Sequence, residues 1–269
     1  MLASGAFGQP SVPLSASIKN QKDMPTASPK MKVEIWSDIM CPFCYIGKRR
    51  YEAALLLFRD ARHTELEWHS FQLDPDISNE RDGGRSVYAY LAERKGISLQ
   101  ESEQLHDQVT EMARASGLTY NFDKAVVANS FDAHRLIQLA KTKGLGSQAE
   151  EYLFRAYFTE GRNFADHEVL RQLGVDIGLD PGEVDRVLTT DIFADAVRRD
   201  IREAAQIGIQ GVPFFVFNRK YAVSGAQPVQ VFLETLEKAF ADWRKEHPGP
   251  LLEVTGGEGA TCKPDGSCD

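Results

Sequence analysis

The sequence predicts an α/β fold made of a β-α-β half, a large helical insertion and a closing β-β-α half. Three observations carry this reading. A short hydrophobic strand, Lys32 to Trp36, gives way at Cys41-Pro42-Phe43-Cys44 to an amphipathic helix. Helices of period 3.6, separated by Gly and Pro signals, run from about Gly84 to Gly208. The strand pattern then returns at Val212-Pro213-Phe214-Phe215-Val216-Phe217, followed by Tyr221 to Ser224 and a last helix.

Taken in order, residues 1–31 are rich in Ala, Ser, Pro and Gly and read as a disordered extension. Val33 to Trp36 makes the first strand and Pro42 to about Ala61 the first helix. Pro42 suits the first helical turn because its missing N–H would have had no partner there. Glu65 to Leu73 alternates as a second strand. Inside the insertion, Asp180-Pro181-Gly182-Glu183 is a helix start, with an N-cap acid, Pro at the first position and Glu three residues after the cap. Asp166 caps an earlier helix, and the last helix spans Pro228 to about Lys245. Residues 32–80 and 209–247 thus form one unit, 81–208 are inserted into it, and 248–269 form a flexible tail. The one low-complexity segment within reach of the fold is Gly256-Gly257-Glu258-Gly259, and the sequence holds no internal repeat.

Composition narrows the function classes. At 269 residues with 42% hydrophobic content, the chain can bury a core, which excludes disorder throughout. A formal charge of −8 without a basic cluster argues against nucleic-acid binding, which needs concentrated Lys and Arg to meet phosphates. No apolar run reaches the ~20 residues that cross a bilayer, so no membrane partner is expected. The first thirty residues lack the basic start and apolar stretch of a secretory signal, and a cytoplasmic protein is expected. The four cysteines fall in two close pairs, Cys41 with Cys44 and Cys262 with Cys268, which points to chemistry rather than to a structural framework.

The first pair predicts a reactive thiol. Cys41 stands at a helix N-terminus, where first-turn N–H groups and the helix dipole favour the thiolate and can lower a free pKa of about 8.5 to roughly 3.5–7.5. Cys44 lies one turn deeper, on an apolar stripe with Tyr51, Leu55 and Phe58, and is expected to be shielded and suited to resolving a mixed disulfide. A C-x-x-C can also be half of a zinc site that Cys262 and Cys268 would complete. The second pair is C-x5-C, however, and the first opens a helix, so no metal is expected. Asp38, three residues before the motif, is either a solvated loop acid or a proton acceptor for the thiols, with Glu34 as a competing candidate. His134 shares a helix with Leu136, Ile137 and Ala140 and reads as a packed core histidine before a catalytic one.

Five separated blocks carry a family resemblance: Ser37-Asp38-Ile39-Met40-Cys41-Pro42-Phe43-Cys44-Tyr45-Ile46-Gly47-Lys48, Ala133-His134-Arg135-Leu136, Tyr157-Phe158-Thr159-Glu160-Gly161, Gly211-Val212-Pro213-Phe214-Phe215 and Ser224-Gly225-Ala226-Gln227. Over roughly residues 33 to 240 the chain resembles the thioredoxin fold in its DsbA-like branch, and within it the FrnE group. The resemblance implies a thiol–disulfide oxidoreductase or isomerase acting on protein disulfides. It also implies that Pro213 is cis, with the preceding carbonyl beside the reactive sulfur to pair with an incoming substrate backbone. Relatives on that scaffold include kappa-class glutathione transferases and 2-hydroxychromene-2-carboxylate isomerases, whose first helix opens with a serine that holds a glutathione thiolate. Here Cys occupies both positions, and two-electron exchange is the reading that uses both. Ser224 to Gln227 precedes a helix opened by Pro228 and could still hold a glutathione carboxylate.

The implied partners are protein disulfides or thiols, with glutathione or a thioredoxin-type protein as reductant and no resident cofactor. Phe43 brings no positive charge between the cysteines. A potential inside the thioredoxin-to-DsbA span of about 150 mV is therefore expected. In the tail, Cys262-Lys263-Pro264-Asp265-Gly266-Ser267-Cys268 brackets a β-turn that would hold two sulfurs near bonding distance. A flexible stretch from 248 to 268 spans about 25 Å, enough to reach the Cys41 face, so the pair is expected to serve as an accessory redox centre. Lys263 should favour a thiolate at Cys262 and make it the attacking member.

Overall fold

The structure, a computed structural model, describes residues 29–79 and 84–248. Most of the expected N-terminal extension, and the tail with Cys262 and Cys268, lie outside the described residues. The core sheet has strands β1 (Met31–Ser37), β2 (Thr64–Ser70), β3 (Phe214–Phe217) and β4 (Tyr221–Ser224) in the order β2-β1-β3-β4. β1 and β2 are parallel, with Ile35 opposite Trp68. β3 runs antiparallel to both β1 and β4. A parallel pair needs a crossover, and helix α1 (Pro42–Leu57) supplies it.

Seven helices lie between β2 and β3 among the described residues: α2 (Val87–Lys95), α3 (Leu99–Ala115), α4 (Phe131–Thr142), α5 (Gly146–Phe154), α6 (His167–Ile177), α7 (Pro181–Thr189) and α8 (Ala194–Gln206). A π-helical turn, Arg155–Glu160, extends α5. Helix α9 (Val229–Glu246) closes the fold against α1. The expected start signals operate as chemistry dictates, since the Asp180 and Asp166 side chains accept from Glu183 N and Glu168 N. None of the described helices is long and apolar enough to cross a membrane.

Strand alternation sorts the sheet into two faces. Val33 and Ile35 of β1 join Phe215, Phe217, Tyr51, Phe232 and Trp243 in a core covered by α1 and α9. Trp36 and Val216 point to the other face, against Ala204 of α8 and Ile209. A third core belongs to the insertion and reaches the head of α1 through Ile39, Cys41, Cys44, Tyr45 and Ile46.

Two boundaries depart from the sequence reading. α1 ends at Leu57 rather than near Ala61, because Phe58 turns extended and packs edge-on to Phe240, at 5.5 Å between ring centres. β2 ends at Ser70 rather than Leu73. Beyond it the Leu73 N–H is taken by the Asp38 carboxylate, at 2.7 Å, which draws the chain off the sheet edge.

Candidate active site: a thiol pair at the head of α1

Cys41 is the N-cap residue of α1, with extended backbone and Pro42 as the first helical residue. Two backbone hydrogen bonds of 3.0 Å, Cys41 N to Asp38 O and Cys44 N to Cys41 O, wind the turn and bring the second sulfur round beneath the first. Both cysteines are free thiols, 3% and 1% exposed. The first-turn N–H groups were expected to face the Cys41 sulfur, but Cys41 makes no side-chain capping bond. A neutral thiol is a weak acceptor, and it donates instead to the Val212 carbonyl at 3.4 Å.

Cys44 is shielded as expected, though by different neighbours. Tyr51 and Phe58 belong to the α9-side core, whereas Cys44 packs with the insertion. The stripe is continuous along α1, but seven residues are two helical turns, enough to pass from one core to the other. Burial pushes the Cys44 thiol well above its ordinary value, and its neighbour Cys41 adds to this. A hydrogen bond with the Asp38 backbone and the Ser37 hydroxyl oppose the rise. Ser37 Oγ is buried there without hydrogen-bond geometry to any partner.

The Val212–Pro213 peptide is cis, and Pro213 O accepts from Gly225 N at 2.8 Å, tying it to the Ser224–Gln227 segment. Pro213 can approach α1 only because position 47 has no side chain. A Cβ there would meet Pro213 Cγ at 3.0 Å and the Phe215 ring at 3.4 Å. Sequence reasoning missed Gly47. The available signal was a glycine inside an amphipathic helix, one turn past Cys44.

Asp38 and His134 come together beneath the thiol loop, both fully buried. The Asp38 carboxylate accepts from Leu73 N at 2.7 Å and from Met40 N at 3.4 Å. His134 Nε2 lies 3.4 Å from Asp38 Oδ1, an ion-pair distance, although neither ring nitrogen has hydrogen-bond geometry to a partner. Burial works against a charged His134, yet Asp38 outweighs it and the imidazole sits above its ordinary value. Glu150 of α5 is the third member. It is 1% exposed, and burial pushes its carboxyl up to about 7 despite the opposing pull of His134 and Lys48. Its place on the apolar stripe of α5, with Gly146, Ala149, Leu153 and Phe154, was the signal that could have found it.

Glu34 is not part of this group. It faces α8 on the opposite side of the sheet, where it pairs with Arg219 and lies 3.2 Å from His69 Nε2, which in turn contacts Asp200 at 3.3 Å. Alternation along β1 turns it away from α1, which corrects its candidacy as a thiol modulator. Groups of His, Asp and Glu close enough to hold a metal occur around His69, and among the described residues they include no cysteine.

A cleft of about 650 Å³ opens beside Cys41. One wall is Met40, Cys41, Pro42 and Phe43, and the facing wall is α3 with Leu105, Val109 and Met112. Tyr120 anchors the insertion to this loop by donating its hydroxyl to the Pro42 carbonyl at 2.7 Å. The arrangement offers a nucleophilic sulfur with a carbonyl beside it, a second sulfur that stays protonated behind it, and buried groups able to hold a proton below.

The chain is similar to known proteins over most of its described length. The family model for the DSBA-like thioredoxin domain matches residues 32–237. The crystal structure of a probable DsbA oxidoreductase from Streptomyces coelicolor is similar at a TM-score of 0.75 and 39% identity, covering 89% of this chain and 98% of that one. The cytosolic disulfide reductase DsbM from Pseudomonas aeruginosa, solved with GSH, shares the fold at a TM-score of 0.52 and 18% identity, covering 80% and 98%. The uncharacterized protein YwbO of Bacillus subtilis is 28% identical over 216 residues, 80% of this chain and 98% of its own.

Proposed function

The chain belongs to the DsbA-like thioredoxin-domain family, and from that premise we propose that it is a thiol–disulfide oxidoreductase and isomerase acting on protein disulfides through Cys41 and Cys44. The observation that carries this reading is the Cys41 thiol on the Val212 carbonyl with Cys44 wound beneath it. The Cys41 thiolate attacks a substrate disulfide and forms a mixed disulfide beside Pro213. Cys44 then gives up its proton and attacks the Cys41 sulfur, releasing the reduced substrate and leaving a Cys41–Cys44 bond. Asp38 and His134 modulate this second step, because they lie 3.4 Å apart, buried beneath the loop that carries both sulfurs. Isomerisation occurs when the substrate rearranges and frees Cys41 before Cys44 acts.

Glutathione or a thioredoxin-type protein would return the pair to the dithiol, and the DsbM structure solved with GSH on this fold supports the former. Cys262 and Cys268 are proposed as an accessory redox centre that exchanges with Cys41, in a cytoplasmic protein. Insulin reduction and scrambled-ribonuclease assays on wild type, Cys41→Ser and tail-deleted protein, with zinc measured in parallel, test these points. Loss of all exchange with Cys41→Ser and no stoichiometric zinc are expected. A tail deletion that leaves reduction, isomerisation and reoxidation rates unchanged removes the accessory role.

The cleft favours one second reading, a glutathione-dependent transferase or isomerase of the kappa-like group. Product formation from glutathione and an electrophile that survives Cys44→Ser would support it.

A further inference from the structure

We propose a further activity, which rests on the thiol–disulfide reading above: exchange with low-molecular-weight disulfides whose sulfur carries an apolar arm ending in a carboxylate. Cys41 is only 3% exposed, so its sulfur is reached through the cleft rather than from an open surface. At about 650 Å³ the cleft falls in the range of roughly 300–1,000 Å³ typical of small-molecule sites. Its walls explain the arm. Leu105, Val109 and Met112 repeat at helical spacing along α3 and remain only half-buried, with Phe43 at the mouth 38% exposed. This is apolar surface left unfilled beside a nucleophile. The cations Arg94 and Lys95 at the end of α2 also line the cleft and would meet an acid carried on the arm. Arg94 is partly committed to Asp74, at 2.5 Å, while Lys95 is exposed and has no partner among the described residues.

The chemistry needs no outside oxidant or reductant in a single turnover. The Cys41 thiolate attacks one sulfur of R–S–S–R, the S–S bond breaks, and the first thiolate leaves and takes a proton from water. Cys44 loses its proton and attacks the Cys41 sulfur, and the second thiolate leaves and is protonated. Two cysteines have been oxidised to one disulfide and one disulfide reduced to two thiols.

The test mixes reduced full-length protein with either of two probes, the symmetric disulfides of mercaptohexanoate and of mercaptopropionate. Both carry an alkyl thiol and a carboxylate, and they differ only by three methylenes per arm. Each buried methylene is worth roughly fourfold, so the longer probe should react about fiftyfold faster per unit concentration. In Val109→Trp, and independently in Leu105→Trp, an indole occupies the cleft and this ratio should fall toward one. Measuring the ratio within each variant removes any difference in folded fraction.

Equal rates for the two probes in the wild type would overturn this inference, while Cys41-dependent reaction with both would leave the oxidoreductase reading intact. No reaction with either probe would overturn this inference, and insulin reduction by the same protein would then decide the oxidoreductase reading separately. A wild-type preference that survives both tryptophan variants would place the selectivity outside the cleft and overturn it. So would an equal preference for peptide disulfides flanked by Phe over those flanked by Ala, which would assign the cleft to polypeptide.

Discussion

Gly47→Ala adds one methyl group at the point where α1 meets the loop that faces the Cys41 sulfur. The new Cβ would sit 3.0 Å from Pro213 Cγ and 3.4 Å from the Phe215 ring, so Pro213 must retreat by a few tenths of an ångström. Overpacking by a methylene-sized group typically costs about 1–3 kcal/mol. Alanine in a helix interior recovers about 1 kcal/mol relative to glycine. The net expectation is a loss of about 0–2 kcal/mol, readable as a lower urea midpoint of the reduced protein at unchanged slope. The retreat also carries the Val212 carbonyl away from Cys41, now 3.4 Å off. Misplacements of that size at a reacting centre cost on the order of tenfold in rate, measured as single-turnover exchange with a small disulfide. An alanine variant about 1 kcal/mol more stable than wild type, with an unaltered rate, would show that the Pro213 contact limits neither packing nor chemistry.

Three further outcomes are expected. Glu150 is neutral more readily in the fold than in the unfolded chain, so its contribution is fully present below pH 4.5 and is lost as pH rises toward about 7. Glu150→Gln should therefore match wild type in acid and gain up to about 3 kcal/mol above pH 7, and parallel unfolding curves at pH 4 and 8 would expose any flat difference. Native alkylation at neutral pH followed by mass spectrometry should label Cys41 and spare Cys44, since Cys41 lines the cleft whereas Cys44 does not and is held well above its ordinary value. Equal labelling of both would undo the division of labour between the sulfurs. Arg219→Ala leaves Glu34, 1% exposed, with His69 as its remaining partner, and because the guanidinium is half exposed and screened by solvent the loss should be about 1 kcal/mol. Exchange per folded molecule should not change, because that cluster lies on the α8 face.

The path from strand to thiol motif to helix was legible because three local signals coincide there: alternation, a proline tolerated only in a first turn, and an apolar stripe of helical period. The caps at Asp166 and Asp180 were legible for the same reason, since each is satisfied within three residues. Features decided by distant residues were not. The end of β2 depends on Asp38, 35 positions away, claiming the Leu73 N–H. The side to which Glu34 points acquires its meaning only once α8 is known to cover that face of the sheet. Glu150 looks like any surface acid until the burial of α5 is known. Even Cys44 was assigned the right environment with the wrong neighbours, because one stripe serves two cores.

The Tyr120 hydroxyl on the Pro42 carbonyl gives the insertion a mechanical grip on the first turn of α1. Pro42 also lines the cleft, so a molecule that displaced it would strain that grip and shift the neighbouring sulfur with it. Under the exchange proposed above, chemically identical disulfides of different bulk would then meet, in effect, different thiols.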